Sequence, residues 1–220
     1  MTQQQTAEAS NGLSPSGILG AVTDGQTYKN LLYLMIAPLL GMFYYIILVT
    51  GFTLGLGLSV IGIGLGILLL TLVCTRYAAG FERRVANRLL GTDIAAPDDL
   101  EQEENGIVAL AKAYIGASST WQGLAFVFAK FWVGIVSFML LVATLGIAIE
   151  LLLMPVFPNG TLDVTVSNWE VAQSFESTAE QVAAVPVGAV LTIVALNVLN
   201  AFANLNATIA SALLGPTTGE

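Results

Sequence analysis

Positions 30 to 75, Asn30 to Thr75, contain no Asp, Glu, Lys or Arg. Those 46 residues are mostly apolar, and no soluble fold buries so long an uncharged run in one helix. One bilayer crossing uses about 20 residues at about 1.5 Å rise each. The run therefore has to enter a membrane, turn and return.

Composition agrees. Charged residues are 10% of the chain and hydrophobic residues 55%, against about 25% charged in soluble domains. Cutting the apolar runs at about 20 residues gives four spans: 31–49, 54–73, 131–151 and 182–203. Residues 50–53 between the first two leave room only for a tight helical hairpin turn. Ser177 and Glu180 have the capping-box spacing that opens a helix before the fourth span. The expected fold class is all-α: a polytopic membrane protein of four transmembrane helices, arranged as two duplicated hairpins with flanking amphipathic helices. A short β-like outer loop completes it.

Sidedness follows from basic residues near span ends. Lys29 precedes the first span; Arg76, Arg83, Arg84, Arg88, Lys112 and Lys130 lie between the second and third; residues 154–181 have no Lys or Arg. Both termini are thus expected in the cytoplasm of a multi-pass cell-membrane protein, with the 50–53 turn and the 154–181 loop outside. Residues 76–90 are expected to continue the second span as an amphipathic helix with Phe81, Val85 and Leu89 on its apolar stripe. Glu82, Arg83, Arg84 and Arg88 would present a cytoplasmic relay surface. An acidic linker, 92–105, precedes a second short amphipathic helix marked by Ile107, Leu110, Ala111, Tyr114 and Ile115. Residues 1–25 are expected to be a disordered cytoplasmic tail and 216–220 a C-terminal tail.

The halves align. At an offset of 93, Thr27 meets Thr120, Leu31 meets Leu124 and Gly41 meets Gly134; at 124, Ala79 meets Ala203 and Ala86 meets Ala210. The predicted units are 26–91 and 106–215. Because each holds an even number of spans, the repeat is expected to be parallel.

The residues exclude several chemistries. The absence of histidine removes His metal sites and Ser-His or Cys-His nucleophile pairs. No paired carboxylates or phosphate loop are apparent, so no enzyme, cofactor or metal centre is expected, and nucleic acid is not an expected partner. Gly62, Gly64 and Gly66 lack the spacing of a dinucleotide loop and no strand precedes them. Small residues four apart instead suit close helix packing: Gly51, Gly55 and Ser59 in one row, Gly62 and Gly66 in another. Asn197, with Asn200 and Asn204, lies on one helical face; such amides usually bond neighbouring helices. Glu150 is an intramembrane acid and so a functional candidate, but its distance from Lys130 places it at the outer interface, where water solvates it. In the outer loop, Asn159-Gly-Thr161 matches a glycosylation acceptor. Alternation of Leu162, Val164 and Val166 suggests a strand, with Trp169 and Val171 as partner or interfacial anchor. Glu150, Asp163, Trp169 and Glu170 are the candidates for perceiving a signal.

Several local sequences together resemble a known family. Lys29-Asn-Leu-Leu-Tyr33 opens the first span and Glu82-Arg83-Arg84 follows the Gly-rich second one. Arg88-Leu-Leu-Gly91 lies just beyond, Thr120-Trp121 opens the third span and Asn168-Trp169-Glu170-Val171 precedes the fourth. This succession is similar to the putative sensor family, a four-span module at the N-terminus of histidine kinases that also occurs alone in salt-loving archaea. The net charge of −8 with only three Lys fits a halophilic source. The resemblance implies a non-enzymatic sensory or regulatory module for an envelope or membrane signal. With no kinase after Gly215, the signal would pass to a separate kinase or regulator, with the bilayer and a second copy of the chain as further partners. A small transporter or channel subunit and a membrane-organising scaffold are the alternative readings.

Overall fold

The computed structural model describes residues 20–99, 106–157, 165–166, 169–170 and 177–216. Five helices account for nearly all of them: α1 (Gly25–Gly57), α2 (Ile63–Leu89), α3 (Ile107–Gly116), α4 (Ser118–Leu153) and α5 (Thr178–Leu214). The four long helices are each apolar and long enough to cross a membrane, and only 28% of each helix's most apolar window is buried. The outward surface is accordingly rich in large apolar side chains such as Leu39, Met139 and Val190. Apolar residues all round a helix suit lipid on one side and protein on the other.

The predicted spans 31–49, 131–151 and 182–203 are each embedded in a longer helix, whereas 54–73 is corrected: a turn divides it between the end of α1 and the start of α2. The 50–53 turn is corrected: α1 runs through it to Gly57, and the reversal occurs at 58–62 through a 3-10 turn, Ser59–Ile61. Gly62 closes that turn at φ +81°, a conformation that favours glycine. Thr50 and Gly51 resemble turn residues, but packing overrides propensity here. A Cβ at Gly51 would overlap the Thr71 side chain, and one at Gly55 would come within 2.6 Å of Leu68. Of the expected row, Gly51 and Gly55 lie against α2, while Ser59 is in the turn and its Oγ donates back to Gly55 O at 2.6 Å. The second row is corrected. Gly62 makes the turn, Gly66 has nothing within 4 Å, and it is Gly64 that lies against the Gly55 carbonyl and the 58–59 backbone.

The chain divides into two compact units, residues 1–31 with 139–202 and residues 32–138 with 203–220. In the first, Ser177 and Glu180 form the expected capping box: Ser177 N donates to Glu180 Oε2 at 3.1 Å, and Glu180 N to Ser177 Oγ at 3.3 Å. Leu151, Met154 and Ala184 form its apolar core. Gly188 permits this approach, since a Cβ there would be 2.9 Å from Leu152 N. Thr165–Val166 pairs antiparallel with Trp169–Glu170, a minimal form of the expected outer hairpin. Leu162, Asp163, Val164, Val171 and Asn159 lie outside the described residues.

In the second unit, α2 continues past the apolar run to Leu89, as expected, but the buried stripe differs. Leu72, Thr75, Ala79, Glu82 and Ala86 face inward, while Phe81 is exposed and Val85 and Leu89 are half-buried. Small residues allow closer helix contact than the bulkier stripe does. Ala79 and Ala86 pack with Phe126, Ala210 and Leu214 around Ile94.

Helix direction is read from the same contacts. Gly41 packs on Lys130 and Phe131, while Gly134 packs on Ala37 and Pro38, so α1 and the first part of α4 are antiparallel. Arg76 meets Ser119, Ala79 meets Gly123 and Glu82 meets Lys130, so α2 and α4 run the same way. The sequence expectation has α4 leave the side on which α2 arrives, and equivalent helices α1 and α4 parallel. Both are corrected here. The segment after α2 doubles back along it: Asn87 Oδ1 accepts from Ile94 N at 2.9 Å, and Asp99 reaches Arg76 at 3.0 Å.

Candidate functional site

The second unit places two opposite charges at the contact of three helices. Glu82 from α2 is 0% exposed and Lys130 from α4 is 2% exposed, and their side chains approach to 2.9 Å. From α1, Tyr33 Oη accepts a hydrogen bond from Lys130 Nζ at 2.7 Å, and the ammonium lies 4.0 Å from the Tyr33 ring centroid. The Phe126 ring is 5.9 Å away. The Tyr44 hydroxyl of α1 also lies beside the Glu82 carboxylate. A buried pair of this kind contributes little net stability when intact, and stranding either partner costs several kcal/mol.

The local sequence explains the placement. Gly41 and Gly134 let α1 and α4 approach backbone to backbone; a Cβ at Gly41 would be 2.7 Å from Lys130 O, and one at Gly134 2.8 Å from Ala37 O. Tyr45, one turn past Gly41, stacks on Phe131, the residue after Lys130, with centroids 4.2 Å apart. Close packing leaves a cavity of only about 10 Å³ beside Lys130, Tyr33 and Asn206.

About one and a half turns back along α2, a second polar cluster fixes the start of α4. Asp99 Oδ2 accepts from Ser119 N at 2.7 Å, and Oδ1 accepts from Ser119 Oγ at 2.6 Å and from Arg76 Nη2 at 3.0 Å. Arg76 also donates to Ser119 Oγ and, at 3.3 Å, to Thr120 Oγ1. The carboxylate caps the Ser119 N–H in the first turn of α4, where negative charge is favoured. Burial works against its charged form, but the Ser119 hydroxyl and backbone N–H and the Arg76 guanidinium outweigh that and hold the Asp99 carboxyl at about 2.

The sequence-derived candidates separate. Glu82 is buried within the bundle, so its role as an exposed relay residue is corrected. Arg83 is half-buried, its Nε donating to Leu214 O at 3.1 Å at the end of α5; Arg84 and Arg88 are exposed. Glu150 is 2% exposed, which corrects its expected solvation. Trp169 and Glu170 are placed only by their backbone pairing. Asn197 Nδ2 donates within α5, to Ile193 O at 2.8 Å.

Its neighbour in the row is the interhelical amide. Asn200 donates to Thr27 Oγ1 at 2.8 Å and accepts from Asn30 Nδ2 at 2.9 Å, while Gln26 Nε2 donates to Asn30 Oδ1 at 2.8 Å. Sequence reasoning passed over Lys130 by treating it as a span boundary. The signal was present: it is the sole ionisable side chain between Tyr114 and Glu150. Such a residue inside an apolar helix is a functional candidate by default. Among the described residues, no three Cys, Asp or Glu gather as a metal site.

A family model described as "Putative sensor" matches residues 33–214. No curated protein and no solved structure matches the chain.

Proposed function

Because the chain belongs to the putative sensor family, we propose that it is a non-enzymatic sensory or regulatory module of the membrane, which passes an envelope or membrane signal to a separate protein. The observation that carries the relay reading is the buried Glu82–Lys130 pair joining α2 to α4, with Tyr33 of α1 on the same ammonium. A charged contact at low dielectric resists gradual deformation. A stimulus that favours separated helices would have to break the contact as a unit, shifting a two-state population. The arginine-bearing end of α2 is assigned to the cytoplasmic side by its basic residues, where a partner would read the change.

Duplication of the helix pair belongs to the same proposal. Exchange by 93 positions maps the Gly41 contact with Lys130 and Phe131 onto the Gly134 contact with Ala37 and Pro38. Arg76 with Thr120 likewise corresponds to Asn200 with Thr27 under the offsets of 124 and 93.

The test is a deletion strain of the native host, compared with the parent for transcript changes under salt, detergent and cell-wall stress. Loss of at least one response, restored by the wild-type chain and not by Glu82→Gln, is expected. If every response survives deletion, the sensory reading fails. Solute or ion flux through purified protein in liposomes, abolished by Asn197→Leu, would assign the chain to transport instead.

A further inference from the structure

Beside the arginine-bearing half of α2 lies an open cleft of about 340 Å³, bounded by Arg76, Arg83 and Arg84 together with Tyr77, Phe81 and Tyr114. We propose that this cleft binds a phosphate group carried by an anionic amphiphile, the headgroup of an acidic phospholipid being the fitting source. The inference does not rest on the sensory reading.

Charge comes first. Three guanidiniums line one cleft, and Arg83 feels the like charges of both Arg76 and Arg84. Asp99 compensates Arg76. Arg83 donates its Nε to the Leu214 carbonyl, which is uncharged, and its terminal nitrogens make no ion pair among the described residues. Arg84 is exposed and makes no ion pair or hydrogen bond among the described residues. Two positive charges therefore stand uncompensated by described groups lining the cleft. Guanidinium forks match phosphate oxygens in pairs, a geometry that a single ammonium does not offer.

The wall supplies the second argument. Tyr77 is 74% and Phe81 48% exposed, large apolar surfaces beside the arginines. Both lie on the helix that continues directly from the charge-free run, one to two turns past Cys74. Basic residues beside exposed aromatic surface on a membrane helix attract acidic lipid. Free phosphate shares the anion chemistry but would make no use of the aromatic wall.

The experiment uses the full chain purified in mild detergent, with native mass spectrometry of retained lipid after titration with phosphatidylglycerol or phosphatidylcholine. Phosphatidylglycerol is expected to be retained preferentially. Arg84→Gln should weaken that retention about tenfold, Arg84→Lys should restore part of it, and Arg88→Gln, exposed on the same helix and outside the cleft, should leave it unchanged. An unchanged unfolding midpoint for Arg84→Gln shows that the fold is intact. Inorganic phosphate distinguishes the sources: weak competition with a requirement for Phe81 assigns a lipid headgroup, and competition at equal concentration without that requirement assigns a soluble phosphate compound at the same arginines. Equal retention of both lipids, or equal losses in Arg84→Gln and Arg88→Gln, overturns the site.

Discussion

At the residue scale, Glu82 and Lys130 illustrate how strongly context governs a charge. In the sequence, Glu82 stands beside two arginines and Lys130 beside Phe131 and Trp132. In the fold they exchange those neighbours for each other. Lys130→Met should therefore destabilise the protein by about 3–5 kcal/mol, because Glu82 would remain buried without its countercharge. The double variant Glu82→Gln/Lys130→Met should recover most of that loss. Denaturant unfolding in detergent, read as a double-mutant cycle, checks this; additive losses would show that the two side chains do not interact.

Asp99 gives a pH prediction at the same scale. Its folded-state carboxyl is held at about 2, below the ordinary 3.8. Its contribution to stability is then complete above about pH 4 and is lost as pH falls through 2. Stability measured between pH 5 and 2 should fall, and Asp99→Asn should remove that part of the slope. A parallel curve for the variant would place the acid sensitivity elsewhere.

At the element scale, helix packing is decided by which glycines face a neighbour. Gly51 and Gly66 look alike in sequence, each small and each in an apolar helix. Gly51→Val must displace Thr71 and should cost about 1–3 kcal/mol. Gly66→Ala meets open space and should stabilise α2 by about 0.5–1 kcal/mol. Thermal unfolding of the two variants in one detergent separates them, and equal effects would contradict the packing. Helix existence was legible from the apolar runs, as were the capping box before α5 and the short helix α3. The 50–53 turn was not, because threonine and glycine tolerate a helix when a facing helix needs close approach. The buried stripe of α2 was misread for a related reason: large apolar residues signal burial in water but suit lipid-facing surface in a membrane.

At the scale of the whole molecule, the direction of α4 matters most. Ala79 and Gly123 face each other, a Cβ at Gly123 lying 3.1 Å from that of Ala79. With Cys74 replaced by Ser, Ala79→Cys/Gly123→Cys should form a disulfide under mild oxidant after small relaxation towards the usual Cβ separation of about 3.8 Å. Phe81→Cys/Gly123→Cys should not. The reverse outcome would restore the antiparallel α2–α4 order expected from charge alone. The relation between helix pairs matters too: a parallel duplication sets equivalent helices running together, whereas α1 and α4 oppose each other across Gly41 and Gly134.

The sequence by itself determined that this is a helical membrane protein, that four long helices form, and that the chain resembles its family. Those properties depend on hydrophobic runs, local capping and local motifs, which are written along the chain. Tertiary structure decided which polar groups meet. The 92–99 segment had to turn back before Asp99 could cap α4, and α4 had to lie along α2 before Lys130 could reach Glu82. Pairings across 48 positions of sequence depend on helix direction and close approach, and a pattern of apolar residues specifies neither.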